Sequence, residues 1–200
     1  IPPFWAGDDK RSVILRAAHN LFLRDGFSET TMDAITREAG VSKPTVYSHF
    51  SSKEQLFATL IREGSENALR ENIPRLVRSG RDVRLELTEF FGSLLGMIIS
   101  QSCAWHRLLI AEALRHPEIA QLFDACTIAR VIKIVENYLT ELANEGLFER
   151  SQVADAAQSL VSMVLLGPLN RILIIGPEAV DWKQLQRFGI EMFVQFARSK

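Results

Sequence analysis

Between Gly40 and Phe57 the chain reads GVSKPTVYSHFSSKEQLF, a stretch dense in hydrogen-bond donors set at helical spacing. At about 100° of rotation per residue, Val46 and Phe50 share one face of a short helix beginning near Lys43 and must pack inward. Pro44, Thr45 and Ser48 then point outward, a surface suited to base edges in a DNA groove. Tyr47 and His49 flank that surface, where a hydroxyl and an imidazole N–H reach phosphates on the two walls of the groove. Lys43 and Lys53 add local positive charge, and the helix starts at Thr31, Ser42 and Ser52 offer backbone N–H groups to phosphate oxygens. Taken singly, Tyr47 reads as half-buried packing and His49, Lys43 and Lys53 as solvated surface. Their joint placement on a helix whose inner face is already filled favours double-stranded DNA.

A second group could do different chemistry. Cys103 and His106 share a helix face, with Glu112 and His116 nearby. A structural zinc site wants four well-spaced ligands, and a cysteine nucleophile wants an orienting acid and an oxyanion motif beside its base. Neither is present in the pattern. Core packing is the expected role, with no metal, no cofactor and no catalytic residue, so the chain is not expected to be an enzyme.

The elements that position these residues are helices. The 200 residues are 47% hydrophobic and 24% charged, a globular composition, and the net charge of −1 excludes a global basic field, so DNA binding must come from a local patch. Two cysteines without a paired motif point to a reducing, cytoplasmic setting. The opening IPPFWAGDDK lacks the basic start and apolar stretch of a secretory signal, and without an initiator Met it reads as a trimmed start. The run LVSMVLLGPLNRILII, residues 160–175, is short for a membrane span and carries Pro168, Asn170 and Arg171 near its middle. It reads as a buried or partner-facing helix, with no membrane involved.

Periodicity and caps predict helices over 9–25, 31–39, 42–50, 52–72, 82–100, 102–115, 117–145, 152–175 and 181–198. Gly26 and Gly40 end the first two. Ser42 caps the third, with Pro44 in the first turn where no hydrogen bond is lost. Ser52 and Gln55 form a capping box for the fourth. The all-α organisation is a three-helix head, residues 1–52, built as a helix-turn-helix, and a larger helical body, residues 53–200, with RSGRD (78–82) the most linker-like break.

The stretch GFSETTMDAITREAGVSKPTVYSHFSSKEQLF, residues 26–57, resembles the DNA-binding signature of TetR-family transcriptional regulators nearly position by position. The body segment WHRLLIAEALRHPEIAQLF resembles the AefR-like subgroup of that family. The resemblance implies operator contacts from Thr31, Lys43, Thr45, Tyr47, His49 and Lys53, with Ala39-Gly40-Val41-Ser42 as the turn. Thr36 departs from the alanine common in the family and leaves the reading intact. The resemblance further implies about nine helices, a homodimer, and a repressor released from DNA by a small ligand. The rival readings are a helical protein-interaction module and a helical enzyme.

In the body, Phe90, Phe91, Met97, Trp105, Phe123, Tyr138 and Met163 are either core or the lining of a cavity for a largely apolar effector, since helical spacing does not separate the two. Gln101, His106 and Asn170 are the polar groups available to orient a guest. Leu160, Val161, Val164, Leu165 and Pro168 form one apolar stripe, and Met192, Phe193 and Phe196 form another. Paired with their copies, these stripes would make a four-helix dimer bundle on a near-palindromic operator.

Overall fold

Asp9 opens α1 (Lys10–Glu29) by accepting the Ser12 backbone N–H at 3.0 Å. The computed structural model describes residue 5, residues 7–71 and residues 73–198, with the side chains of Glu71, Gln101, Ser102 and Arg198 outside the described set. Gly26, at φ 83°, kinks α1 at the expected stop, a left-handed conformation that favours glycine. Then come α2 (Met32–Ala39), α3 (Lys43–His49) and α4 (Lys53–Glu71). The rest is α5 (Val83–Met97), α6 (Cys103–Ala113), α7 (Pro117–Cys126), α8 (Ile128–Asn144), α9 (Val153–Val161), α10 (Gly167–Ile175) and α11 (Trp182–Arg198). No strand occurs among the described residues.

Helices occupy all nine expected stretches in this order. The one expected over 152–175 is α9 and α10 joined by a π turn, Ser162–Leu166, ahead of Pro168. A proline lacks the N–H and crowds the carbonyl four residues back, and widening the turn relieves that conflict. One correction concerns the helix expected over 117–145, which is broken at Thr127 (φ −122°, ψ −77°) into α7 and α8. The periodicity carries through the break, but the chain leaves one compact unit for another there.

Those units are α1–α4 with α6 and α7, and α5 with α8–α11. Packing thus groups α4, α6 and α7 with the first 52 residues. The head's short helices bury too little on their own. Phe22, Phe27 and Phe57 stack with centroids 4.7–5.6 Å apart, and Leu109 of α6 and Ile119 of α7 are buried in the same cluster. Trp105 lies 5.3 Å from Phe57, and His19 is sandwiched between Trp5 at 5.2 Å and Trp105 at 5.1 Å. Burial of that imidazole disfavours its charged form and pulls its pKa down to about 4.

The second unit is organised around a buried carboxylate, Glu86. It accepts hydrogen bonds from the Tyr138 hydroxyl (2.5 Å), the Ser79 hydroxyl (2.6 Å) and the Ser79 N–H (2.9 Å), with Arg78 at 3.2 Å. Burial alone would raise its pKa, but the Ser79 and Tyr138 hydrogen bonds and the Arg78 charge outweigh it and hold the pKa at about 2. Arg78 also donates to Glu145 (3.0 Å) and to the Arg81 carbonyl (2.7 Å), which fastens the irregular segment before α5. Antiparallel α5 and α11 are tied by the bidentate Arg84–Glu191 pair at 2.6 and 3.0 Å. The helical run Arg150–Ile175 is long and apolar enough by composition to cross a membrane, yet one face of it, including Leu160, Val164 and Ile172, is packed inside this unit.

Candidate nucleic-acid interface

The turn between α2 and α3 is set by two caps. Gly40 takes φ 63° and donates its N–H to the Arg37 carbonyl at 3.2 Å, so α2 ends in the left-handed conformation that a side chain would resist. Ser42 accepts the Thr45 N–H at 3.3 Å, and Pro44 occupies the first turn of α3. At the far end the Phe50 N–H donates to the Val46 carbonyl at 2.9 Å. Val46 and Phe50 are buried, as the helical faces predict, and Arg11 of α1 lies over the Phe50 ring.

The outer surface of α3 is then Lys43, Pro44, Tyr47, Ser48 and His49, all exposed, with Tyr47 45% accessible. Thr31 is also exposed, and its hydroxyl oxygen caps α2 by accepting the Ala34 N–H at 3.1 Å. Two expected contacts have other partners as well. Thr45 is half-buried, and its hydroxyl is 2.8 Å from the capping Ser42 hydroxyl. Lys53 donates to the carbonyls of Phe27 (2.7 Å) and Ser28 (3.0 Å) and lies over the Phe27 ring. It thereby caps the last carbonyls of α1 and keeps one of three N–H donors for another acceptor. The capping box is shifted: Ser52 accepts the Gln55 N–H, while the Gln55 side chain reaches back to the Ser51 N–H rather than that of Ser52.

Sequence reading missed Asp33. Its carboxylate is 2.7 Å from the Lys43 ammonium, which also lies 5.9 Å from the Tyr47 ring centroid. The hydrogen bond and charge of Asp33 hold Lys43 above the usual lysine pKa. Opposite charges ten positions apart across a turn have no periodic signature, so only the fold pairs them. His116, placed by sequence beside the cysteine group, packs its ring edge-on against Phe27 at 5.0 Å, with Glu118 at 3.4 Å.

The expected effector residues divide between the two units. Phe90, Phe91 and Tyr138 are buried in the second, Met97 is half-buried there, and Trp105, His106 and Phe123 are half-buried in the first. Met163 and Asn170 are exposed, and the Gln101 side chain lies outside the described residues. A cleft of about 200 Å³ in the second unit is lined by residues 146–149, Gln152, Phe196 and Ala197, with none of these ten among them.

The residues of the expected dimer stripes differ in exposure. Leu160, Val161, Val164, Leu165, Pro168 and Phe193 are buried within the second unit. An apolar stripe signals burial without naming what covers it, and here the packing of α5, α8 and α11 with the run from α9 to α10 does so. Met192 and Phe196 remain exposed and continue through Phe188 and Leu185 as one stripe along α11, while Met163, Ile174 and Ile175 are exposed on the neighbouring helical run.

Comparison with known proteins agrees with this geometry. The model for "Bacterial regulatory proteins, tetR family" matches residues 14–60, and that for "AefR-like transcriptional repressor, C-terminal domain" matches residues 86–196. The solved structure of the flavonoid-responsive regulator FrrA has a TM-score of 0.79 at 32% identity, covering 94% of this chain and 96% of that one. A TetR-family regulator from Mesorhizobium loti has a TM-score of 0.76 at 24% identity, with 94% and 96% covered. The transcriptional activator FasR of Mycolicibacterium smegmatis is 29% identical over 124 residues, 60% of this chain, and the match spans 56% of FasR's length. The helix-turn-helix geometry, a matched signature over that head and a near-full-length relative at 32% identity lead to one conclusion: the chain belongs to the TetR family of bacterial regulatory proteins.

Proposed function

We propose that this protein is a cytoplasmic, sequence-specific DNA-binding transcriptional regulator of the AefR-like subgroup, a homodimer that represses by occupying a near-palindromic operator and leaves it when a small, largely apolar ligand binds the body. The observation that carries the reading is α3. Its inner face is filled by Val46 and Phe50, and Lys43, Pro44, Tyr47, Ser48 and His49 are turned to solvent on a helix held by its neighbours. In that role α3 enters the major groove, with Tyr47 and His49 on phosphates and two copies roughly 34–36 Å apart meeting successive grooves.

The ligand class is supported by the 32% identical FrrA, which is flavonoid-responsive. Repression is supported by the description of the model matching residues 86–196, whereas FasR is named an activator. The reading includes no catalysis, cofactor or metal. The Cys103 thiol is pushed up in pKa by burial, opposite to what a nucleophile needs, and the His106 ring packs against Phe123 at 5.5 Å.

The test is a mobility-shift titration of the purified chain against the region upstream of its own gene, beside a scrambled duplex of equal length. Tighter, salt-sensitive binding to the upstream region is expected, and a flavonoid that releases it would support the ligand class. Equal affinity for the two duplexes would overturn the reading, and activated transcription from the bound promoter would reverse its sign.

A further inference from the structure

We propose that Asp33 restrains DNA binding by holding Lys43 of the recognition helix in an internal ion pair, so that α3 binds tightly only where base contacts add to phosphate contacts. This rests on the DNA-binding reading above and concerns how its specificity is set.

The carboxylate of Asp33 is 2.7 Å from the Lys43 ammonium, and both side chains are more than half exposed, at 67% and 57%. The cation that would meet a phosphate is thus already matched by an anion on the same surface. Asp33 also lies in the first turn of α2, where a negative charge offsets the partial positive charge of the helix start at Thr31. The other lysine of this surface, Lys53, gives two N–H groups to the carbonyls of Phe27 and Ser28. With a net charge of −1, the chain has no broad basic field to replace these contacts.

Phosphate attraction supplies nearly all sequence-independent affinity, while base-edge contacts supply discrimination. An anion among the phosphate-facing cations therefore weakens binding to every sequence, and only a duplex with matching bases makes up the loss. A purely orienting Asp33 would act in the opposite sense, because its loss would free Lys43 to wander and weaken binding.

The experiment selects a tight-binding duplex from random-sequence DNA with the full chain, then measures fluorescence anisotropy on that duplex and a scrambled one across a salt series. Wild type, Asp33→Asn and Asp33→Ser are compared, with thermal melts to verify folding. Both variants should bind the scrambled duplex roughly 2- to 30-fold tighter, the range for one exposed ion pair in each of two subunits. Their plot of log affinity against log salt should be steeper by about 1.8, or about 0.9 for each subunit. The ratio of selected to scrambled affinity should fall. Folded variants with unchanged or weaker binding to the scrambled duplex would overturn the proposal, as would a gain in Asp33→Asn alone, which would trace to the new amide. If wild type enriches no sequence, the DNA-binding reading itself fails. If it enriches one and the variants gain nothing, only the role of Asp33 fails.

Discussion

In the first unit His19 is buried and kept neutral between two tryptophan rings; in the second Glu86 is buried and kept ionised by Ser79, Tyr138 and Arg78. The outward faces differ as sharply. On the first unit α3 exposes hydroxyls, an imidazole and an ammonium, which water solvates well. On the second, α11 exposes Phe188 at 66% and Met192 and Phe196 at about half, which water solvates poorly. A polar face can wait in solvent for a polyanion, whereas a stripe of large apolar groups gains by burial against a like surface. The contrast suits the first face to the proposed DNA contact and the second to the proposed self-association.

The largest effect should come from the core that the head shares with α6. Phe57 touches Phe22, Phe27 and Trp105, so Phe57→Ala should cost about 3–5 kcal/mol in denaturant unfolding. A loss below about 1 kcal/mol would mean that α6 does not complete that core. Next, Phe188→Asp combined with Met192→Asp should leave the fold intact, give monomers by light scattering and lower operator affinity about 10³-fold, since each head then binds alone. A dimer that survives both charges would move self-association to another surface.

Tyr47→Phe should leave the melting temperature unchanged and weaken DNA binding by about 1.5 kcal/mol per subunit, equally for all sequences, if the proposed contact of its hydroxyl is with phosphate. A loss confined to one operator sequence would place Tyr47 on a base instead.

The smallest effect near neutrality is acid-dependent and separates the two units. His19 titrates near 6.5 when unfolded and near 4 when folded, so the unfolded chain holds the extra proton between these values. Its contribution is full above about pH 6.5 and is lost as the pH falls towards 4, at up to about 1.4 kcal/mol per unit. Glu86 is also depressed, from 4.5 to about 2, so its contribution is full above about pH 4.5 and is lost only below that. Hydrogen exchange at pH 5.5 should therefore show the first unit loosening before the second, and His19→Gln should flatten that response. Simultaneous loosening, unchanged by His19→Gln, would remove His19 as the cause.

What the sequence determined by itself was whatever depends on neighbours a few positions apart. Helix periodicity, the caps at Thr31, Ser42 and Ser52, the stops at Gly26 and Gly40, and the inward turn of Val46 and Phe50 all follow from spacings of one to four residues, and all are in the fold. What the tertiary structure decided was which surface meets which. Leu160 and Val164 were legible as apolar and helical, but only packing among α5, α8 and α11 shows that they are covered inside the unit. The same holds for Leu109 and Ile119 in the head's core, for Lys53 on carbonyls far back in the chain, and for Asp33 on Lys43. Burial and ion pairing depend on distance in space, and a sequence pattern records only distance along the chain.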